Sequence, residues 1–374
     1  MSRKLKILLV FGTRPEAIKM APLIMEFKKN QKRFDCIVCV TGQHQEMTAQ
    51  LLKTLKVKVH YNLKIMRFNQ DLEHITIQVL NRVGVLINKE KPHWIIVQGD
   101  TTTAMAAGLA AFYKKVKVAH VEAGLRTGDK ENPYPEEVNR RMIDSFCDVF
   151  FAHTEWARKN LLNEGIPSSR IKVTGNTGID SLLHSASQKF DFKSTSLSSL
   201  DSEGRKIILV TAHRRENIGK SISNICSSIK EIARRYRKEV IFVYPVHLNP
   251  NIRKPVYQHL RGIENVLLVQ PLEYLPFVHL MRKSYFLLSD SGGLQEEAPS
   301  LGKPVLVIRK TTERPEGVAA GCTKIVGTES KGITLEIERL INNAAYYQRM
   351  ACIRNPYGDG KASQRIVGWF DRYG

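Results

Sequence analysis

Apolar runs typical of β-strands alternate with helix-like stretches along almost the whole chain, in two sets of six. The runs are residues 7–11, 37–40, 95–97, 116–121, 149–152 and 171–173, then 207–210, 240–244, 266–269, 285–289, 305–308 and 324–326. Because strands that alternate with helices form parallel sheets covered on both faces, the pattern predicts an α/β fold. Ligands of such folds bind outside the carboxyl ends of the strands. We therefore expect two doubly wound, Rossmann-like domains facing each other across a cleft.

The chain length supports two domains. A chain of 374 residues is too long for one ordinary core. Residues 184–206 are rich in Ser, Lys and Asp, so we place the boundary near Gly178 and expect an exposed segment just after it. The predicted domains are residues 1–178 and 179–358, with a final helix at about 360–374 packing back on the first domain.

Composition excludes several classes of protein. Hydrophobic residues make up 43% and charged residues 25%, as in soluble globular proteins. No apolar run approaches ~20 residues and the amino end carries no signal-type stretch, so we expect a cytoplasmic protein without a membrane partner. The net charge is +21, but Lys and Arg are scattered without a basic arm, which argues against nucleic acid. This charge would attract a polyanionic small substrate.

The six cysteines include one Cys-x-x-Cys pair, Cys36 and Cys39. Both lie in a predicted strand, where their odd spacing points the side chains to opposite faces. Since no second pair accompanies them, we expect core packing and no metal site.

Residues 289–297 have the pattern of a nucleotide-diphosphate site. An apolar strand ends in Ser291, Gly292 and Gly293 at the start of a helix. Such a turn leaves backbone N–H groups and the positive end of the helix dipole available to phosphate oxygens. Glu297, about one turn further on, can accept hydrogen bonds from a ribose diol. An ordinary β–α turn is the alternative for this segment taken alone.

Polar side chains also follow strand ends of the first domain. Arg14 and Lys19 can bind phosphate, although a capped helix start with solvated charges fits them equally well. Asp100 can be catalytic or can cap the next helix. Glu122 and Glu136 stand beside arginines, for which surface ion pairs are the default explanation. Because Asp100, Glu122 and Glu136 would converge at one edge of the sheet, we interpret them as an acid–base group.

Two histidines follow strands of the second domain. His213 lies in the run His-Arg-Arg directly after the first strand of that domain, and His247 follows the next strand. A histidine at this place can protonate or neutralise a departing phosphate. A structural role is the alternative.

The chain resembles the non-hydrolysing UDP-N-acetylglucosamine 2-epimerases over nearly its whole length. The resemblance lies in FGTRPEAIKMAP at 11–22, VEAGLRT at 121–127, DSGGLQEEAP at 290–299 and TERPE at 312–316, with further matches at 99–103, 135–140, 211–217 and 355–358. It implies a GT-B fold whose second domain holds most of UDP. The implied reaction interconverts UDP-GlcNAc and UDP-ManNAc, supplying ManNAc for surface polysaccharides. It requires no redox cofactor, and such proteins are usually homodimers.

The resemblance also implies a mechanism. UDP is eliminated to leave 2-acetamidoglucal and then returns, with the proton delivered to the opposite face of C2. Asp100, Glu122 and Glu136 would move the proton, without individual roles being resolved. The implied phosphate-side groups are Arg14, Lys19, Arg140 and His213, with His213 as the candidate acid. The implied nucleotide contacts are Phe277 against uracil, Ser291 to Gly293 on phosphate, Glu297 on the ribose, and Arg314.

Some members of this family bind a second UDP-GlcNAc as an activator through a Gln-His pair after the second strand. Gln43 and His44 match that pair, and Gln70, Arg215 and His247 also fit. Asn69 stands where some relatives carry Arg.

Several alternative functions share parts of this pattern. A hydrolysing epimerase would release ManNAc and UDP from the same intermediate, and a related epimerase would act on another UDP-2-acetamido sugar. A GT-B glycosyltransferase would need an acceptor and leaves the carboxylates unexplained. A non-enzymatic nucleotide- or nucleic-acid-binding protein would bind without turnover and with a steep dependence on salt.

Overall fold

The computed structural model describes residues 4–42, 51–55, 57–67, 70–195, 197–198, 200 and 204–373. The chain divides into two compact units. Unit 1 comprises Met1–Ser181 and Tyr357–Gly374, and unit 2 comprises Leu182–Pro356.

Unit 1 contains a parallel seven-stranded sheet among its described residues, in the order β3-β2-β1-β4-β5-β6-β7. The strands are β1 Leu5–Phe11, β2 Phe34–Val40, β3 Tyr61–Asn62, β4 Trp94–Gln98, β5 Lys117–Ala123, β6 Val149–Ala152 and β7 Ile171–Val173. The labelled helices are α1 Arg14–Lys29, α2 Leu72–Glu90, α3 Thr102–Tyr113, α4 Glu136–Phe146, α5 Glu155–Asn163, α6 Thr177–Ala186 and, after unit 2, α14 Ala362–Tyr373. Helix α6 runs across the division at Ser181.

Unit 2 contains a parallel six-stranded sheet in its described part, in the order β10-β9-β8-β11-β12-β13. The strands are β8 Lys206–Thr211, β9 Val240–Pro245, β10 Val266–Val269, β11 Phe286–Ser289, β12 Val305–Val307 and β13 Thr323–Ile325. The helices are α7 Lys220–Arg235, α8 Pro250–Leu260, α9 Tyr274–Lys283, α10 Gly292–Glu297, α11 Pro315–Ala320, α12 Ser330–Asn342 and α13 Ala344–Ala351.

Both sheets confirm the predicted α/β pattern. Their central strands are almost fully buried, as expected for parallel strands covered on both faces. The strand order changes direction between β1 and β4 in unit 1, and between β8 and β11 in unit 2. Ligands of doubly wound sheets bind at such switch points. The polar segments after β1, β4, β8 and β11 are therefore the places to look for a site.

Helix α14 completes the core of unit 1 although it is the last element of the chain. Phe370 lies 5.4 Å from Trp94, 5.7 Å from Phe27 and 5.9 Å from Phe151, measured between ring centroids. Trp369 packs edge-on against Trp94 at 5.6 Å. Each such pair contributes ~0.5–1.5 kcal/mol beyond its buried area.

The exposed segment expected across residues 184–206 is wrong in part. Helix α6 continues to Ala186, which is buried, and Leu197 is completely buried. Phe190 stacks on His279 of α9 with ring centroids 4.8 Å apart. The sequence signal was misleading because this polar stretch contains a few apolar residues, such as Phe190 and Leu197, that pack against the protein. The two-residue strand β3 also escaped prediction.

The Cys-x-x-Cys pair lies in strand β2, as predicted. Cys39 is fully buried and Cys36 half-buried, and burial raises the pKa of both thiols to about 12. Within the part of the chain that the structure describes, no group of three His, Cys, Asp or Glu side chains is placed to hold a metal ion. No helix in that part is both long and apolar enough to cross a membrane.

Candidate functional site

The loop after β1 is organised around Glu16. Thr13 caps α1, and the carboxylate of Glu16 accepts hydrogen bonds from the backbone N–H groups of Gly12 and Thr13, at 3.1 and 2.7 Å. Its other oxygen accepts from the hydroxyl of Thr101, which follows β4, at 2.8 Å. Burial raises the pKa of Glu16, against the effect of these hydrogen bonds. The two neighbouring strand ends are thereby connected, and Arg14 and Lys19 are carried on a fixed helix start.

Asp100 does not cap the helix that follows it. Thr101 is the N-cap of α3, and its hydroxyl accepts from the N–H of Ala104 at 3.0 Å. The carboxylate of Asp100 is instead bound by Arg140, whose Nε and Nη2 lie 2.9 and 2.6 Å from Oδ2. The Asp100 side chain remains 25% exposed, so the carboxylate can still meet a ligand. The capping explanation is therefore excluded.

Glu122 lies at the end of β5 in an unusual backbone conformation. Its φ is +68°, and the pairing of β5 with β6 shifts register between Val121 and Ala123. A bulge of this kind re-aims a side chain at the end of a strand. The carboxylate of Glu122 binds the ammonium of Lys19 and the side-chain amide of Gln98. It also lies beside Gly99, where an added Cβ would be 3.4 Å from Oε2.

The two glutamates that begin α4 differ sharply. Oε2 of Glu136 is buried and has no hydrogen-bond partner among the described residues. Glu137 is fully buried and accepts from the N–H groups of Thr127 and Gly128 and from Arg140, at 2.9, 3.2 and 3.0 Å. Burial alone would raise the pKa of Glu137, but these hydrogen bonds and the Arg140 charge outweigh it and lower the pKa. Glu137 thus fixes Arg140, whereas Glu136 keeps an uncommitted oxygen.

The expectation of surface ion pairs around these glutamates is wrong. Arg140 and Glu137 are buried, and so are His120 and Asp144, whose Nδ1 and Oδ1 lie 2.6 Å apart. Arg126 joins them, since its side chain is only 8% exposed and its Nη2 lies 2.6 Å from Oδ2 of Asp144. The sequence shows carboxylates close to arginines, and this proximity predicted solvated ion pairs. The prediction failed because a sequence does not show how deeply α4 packs on the sheet.

In unit 2, a single buried carboxylate holds the loop that carries His213. Oδ2 of Asp290, directly after β11, accepts from the backbone N–H groups of His213 and Arg214 and from the side chain of Asn217, at 2.7, 2.8 and 2.9 Å. Oδ1 of Asp290 lies 3.2 Å from Nδ1 of His213. Desolvation lowers the pKa of His213 and Asp290 opposes that shift, although 40% of the histidine side chain is exposed.

The turn of Ser291, Gly292 and Gly293 opens α10 beside Arg314. A Cβ added at Gly292 would lie 2.9 Å from Cζ of Arg314, so only glycine admits the guanidinium this close to the turn. Arg314 is oriented by Glu296 and Glu313, at 2.8 and 3.0 Å. Burial would raise the pKa of Glu313, but Arg314, Arg309 and Arg214 lower it to about 2.

The remaining predicted residues are less informative. Phe277 on α9 and Glu297 at the end of α10 are both half-buried in unit 2. Of the possible activator residues, Gln43 and His44 lie outside the described residues, as does Asn69, and the side chain of Arg215 is likewise not described. Gln70 accepts a hydrogen bond from the N–H of Arg67 at 3.4 Å. His247 is exposed, and its ring stacks on His213 with centroids 5.8 Å apart.

Sequence reasoning missed the residues that support the predicted ones. These are Gln98 and Glu137 in unit 1, with His120, Asp144 and Arg126 behind them, and Asp290, Glu296 and Glu313 in unit 2. A carboxylate or amide directly after an apolar strand was a usable signal for Gln98 and Asp290. No such signal exists for Asp144, because its partner His120 is distant in sequence. None exists for Glu313 either, because Arg309 and Arg314 look in the sequence like ordinary surface charges.

Comparison with known proteins gives a consistent picture. The family model described as UDP-N-acetylglucosamine 2-epimerase matches residues 26–370. The chain is 50% identical over 370 residues to the UDP-N-acetylglucosamine 2-epimerase of Neisseria meningitidis serogroup A, covering 97% of this chain and 98% of that protein.

Solved structures agree with the sequence relatives. The chain matches the crystal structure of the Neisseria meningitidis UDP-GlcNAc 2-epimerase bound to UDP-GlcNAc with a TM-score of 0.90 at 50% identity, over 98% of this chain and 100% of that one. It matches the S. aureus MnaA–UDP co-structure with a TM-score of 0.89 at 42% identity, over 99% and 97%. These likenesses and the two parallel sheets confirm the predicted GT-B fold.

Replacing Glu313 by Gln should make the stability difference from the wild-type protein depend on pH. The folded pKa of about 2 lies below the ordinary 4.5, so ionised Glu313 stabilises the fold above pH 4.5 and this contribution is lost as the pH falls towards 2. At pH 7 the loss should be about 3 kcal/mol. Urea unfolding followed by far-ultraviolet circular dichroism at pH 7 and pH 3 measures it.

Glu264→Gln is the matched control, because Glu264 is 62% exposed in its pair with Arg237. It should change the free energy of unfolding by less than ~1 kcal/mol at either pH. A Glu313→Gln effect as small as that of the control, or one independent of pH, would contradict the assignment.

Proposed function

This chain belongs to the UDP-N-acetylglucosamine 2-epimerase family, and we propose that it interconverts UDP-GlcNAc and UDP-ManNAc without hydrolysing them. The observation that carries the proposal is the pair of strand ends in unit 1 where Asp100 and Glu122 stand, each bound by a cation. Neither carboxylate is consumed by helix capping. Such groups are suited to moving a proton at carbon. The product would supply ManNAc units for surface polysaccharides, and the cytoplasm stays the predicted location.

The proposed chemistry avoids an oxidant. The C2 proton leaves as the bond from the anomeric carbon to the diphosphate breaks, giving 2-acetamidoglucal and UDP. UDP then adds back while a proton reaches the other face of C2. One carboxylate must accept the first proton and another acid must donate the second. Glu136 suits a transfer role because its buried oxygen lacks a partner among the described residues.

Cations of unit 1 orient these carboxylates. Lys19 binds Glu122 and Arg140 binds Asp100 in the structure, and such charge-assisted pairs fix the position of each carboxylate. We therefore assign Arg140 mainly to Asp100, rather than to a phosphate as the sequence suggested. Arg14, at the first position of α1, is assigned to the diphosphate.

Unit 2 supplies the nucleotide contacts in this proposal. The N–H groups of the turn from Ser291 to Gly293 and the guanidinium of Arg314 are assigned to phosphate oxygens. His213 is assigned to the departing phosphate. Its lowered pKa makes it neutral near pH 7 before ligand binds, and a bound diphosphate would favour its protonated form. Glu297 is assigned to the ribose and Phe277 to the base.

Proton and phosphorus NMR with UDP-GlcNAc in D₂O tests the function. We expect UDP-ManNAc to form, with deuterium at C2 of both sugars, because the carbon acid must exchange with solvent during turnover. No nicotinamide cofactor is added. Accumulation of free ManNAc and UDP would identify a hydrolysing epimerase instead, and unchanged UDP-GlcNAc would refute the substrate assignment.

Asp100→Asn should reduce kcat by at least about a hundredfold while UDP binding changes less than about threefold. The amide keeps the shape and one hydrogen bond to Arg140 but cannot accept a proton. Asp35→Asn is the matched control, because Asp35 lies near the amino end of β2 with a half-exposed side chain. Steady-state kinetics and calorimetric titration of UDP provide the measurements. Full turnover in Asp100→Asn would remove Asp100 from the chemistry.

We also propose that the chain forms a homodimer through the helices of unit 1. Helix α3 packs against both α2 and α4, and these helices expose Val85, Phe112, Tyr113 and Met142 by 41–70%. Apolar groups exposed to this extent mark association surfaces. Phe112→Glu should convert the dimer to a monomer in sedimentation velocity, whereas Leu335→Glu on α12 should not. A monomeric wild-type protein would refute the proposal.

A further inference from the structure

His120 is completely buried on β5, and each of its ring nitrogens faces an oxygen that accepts hydrogen bonds. Nδ1 lies 2.6 Å from Oδ1 of Asp144, and Nε2 lies 2.7 Å from the carbonyl oxygen of Gly99. A carbonyl oxygen has no proton to donate, so Nε2 must carry one. The remaining question is where the proton between His120 and Asp144 resides.

Asp144 is the more acidic partner. Its burial would raise the pKa, but the charges and hydrogen bonds of His120 and Arg126 outweigh burial and lower it. Arg126 in turn binds Glu164 at 2.7 Å. The four groups make two cations and two anions, so the cluster is neutral when His120 is an imidazolium. With a neutral imidazole, the buried Asp144 would have only Arg126 as a cation, and it shares Arg126 with the exposed Glu164.

We infer that His120 is a permanent imidazolium that positions Asp100 and Glu122 by holding the carbonyl of Gly99. The inference rests on the function proposed above. His120 reaches no reacting atom itself, so it is a positioning residue. Its action runs through the short connection between the end of β4 and the start of α3.

The backbone around Gly99 explains why that carbonyl matters. Gly99 has φ of +70°, and its N–H donates to the carbonyl of Val121 at 2.9 Å. Both backbone polar groups of Gly99 are therefore held by β5. The carbonyl of Val121 binds its N–H, and the side chain of His120 binds its carbonyl. Asp100 follows it directly, and Glu122 follows Val121. A change in the direction of the Gly99 carbonyl rotates the peptide that leads into Asp100 and moves it relative to Glu122.

The first test replaces His120 by Gln, which can still donate one hydrogen bond but cannot bear the charge. We expect kcat to fall about a hundredfold with KM for UDP-GlcNAc and the Kd for UDP within about threefold, because misplacement by about 1 Å costs this much. His93→Gln is the matched control and should keep full kcat. His93 directly precedes β4, and its Nδ1 accepts a hydrogen bond from the N–H of Lys6. Equal kcat in His120→Gln and wild type would overturn the inference.

The second test separates charge from packing. Asp144→Asn keeps the shape and can accept from Nδ1, but it removes the charge that favours the imidazolium. The ratio of variant to wild-type kcat should therefore rise as the pH falls from about 8.5 to about 6, where histidine takes up a proton unaided. The other ionisable groups around the pair are Arg126, Glu164 and the thiol of Cys147. Arginine and glutamate side chains do not ordinarily titrate between pH 6 and 8.5, and burial raises the pKa of the Cys147 thiol well above that range. A ratio independent of pH would show a merely structural role.

The charge itself is measurable without turnover. In protein labelled with ¹⁵N at histidine, one of the eleven histidines should show both ring nitrogens protonated at pH 8.5. That signal should disappear in Asp144→Asn and in His120→Gln. Its absence from the wild-type protein would overturn the inference, whereas its presence in a protein that does not turn over UDP-GlcNAc would refute only the proposed function. The same measurement decides the matter if His120→Gln does not fold.

Discussion

The structure of unit 1 depends on three buried carboxylates whose charges are each compensated by a cation. Glu122, Glu137 and Asp144 are each less than one-tenth exposed, and each is bound by Lys19, Arg140 or Arg126. Removing one partner from such a pair typically costs about 3–5 kcal/mol, because the other charge then remains unpaired and without water. The pairs connect α1, β5, α4 and the loop after β5. Helices that are distant in sequence are consequently fixed at one edge of the sheet.

Backbone conformation fixes where Glu122 lies at the end of β5. Gly99 and Glu122 both have positive φ, and Glu122 sits at a bulge of β5. A non-glycine residue in this region costs of order 1–3 kcal/mol and persists only where its surroundings determine it. For Glu122, the salt bridge to Lys19 and the hydrogen bond from the amide of Gln98 hold the residue in this conformation. Strain at a strand end is thus balanced by interactions with side chains from two other elements.

The sequence predicted the fold more completely than the site. All twelve apolar runs correspond to strands, because buried parallel strands are continuous in hydrophobicity and do not depend on distant partners. The two-residue strand β3 lacks such a run. Asp100 and Asp290 were identifiable by position after strands, but the choice between capping and catalysis for Asp100 depended on Thr101 taking the cap. The local sequence of α4 does not show that this helix is buried, so its ion pairs were predicted to lie on the surface.

The two adjacent glutamates at the start of α4 show that position, rather than residue type, decides whether the oxygens of a carboxylate are all bound by hydrogen-bond donors. They share the positive end of the same helix dipole, which favours a carboxylate at either place. Glu137 points to the loop of Thr127 and Gly128 and saturates its oxygens there, so it cannot exchange a proton without losing that loop. Glu136 is rotated by about 100° around the helix, and none of the residues that the structure describes donates to its buried oxygen. Of the two glutamates at this helix start, Glu136 is therefore the one whose buried oxygen is not saturated by hydrogen bonds, as the proposed proton transfer requires.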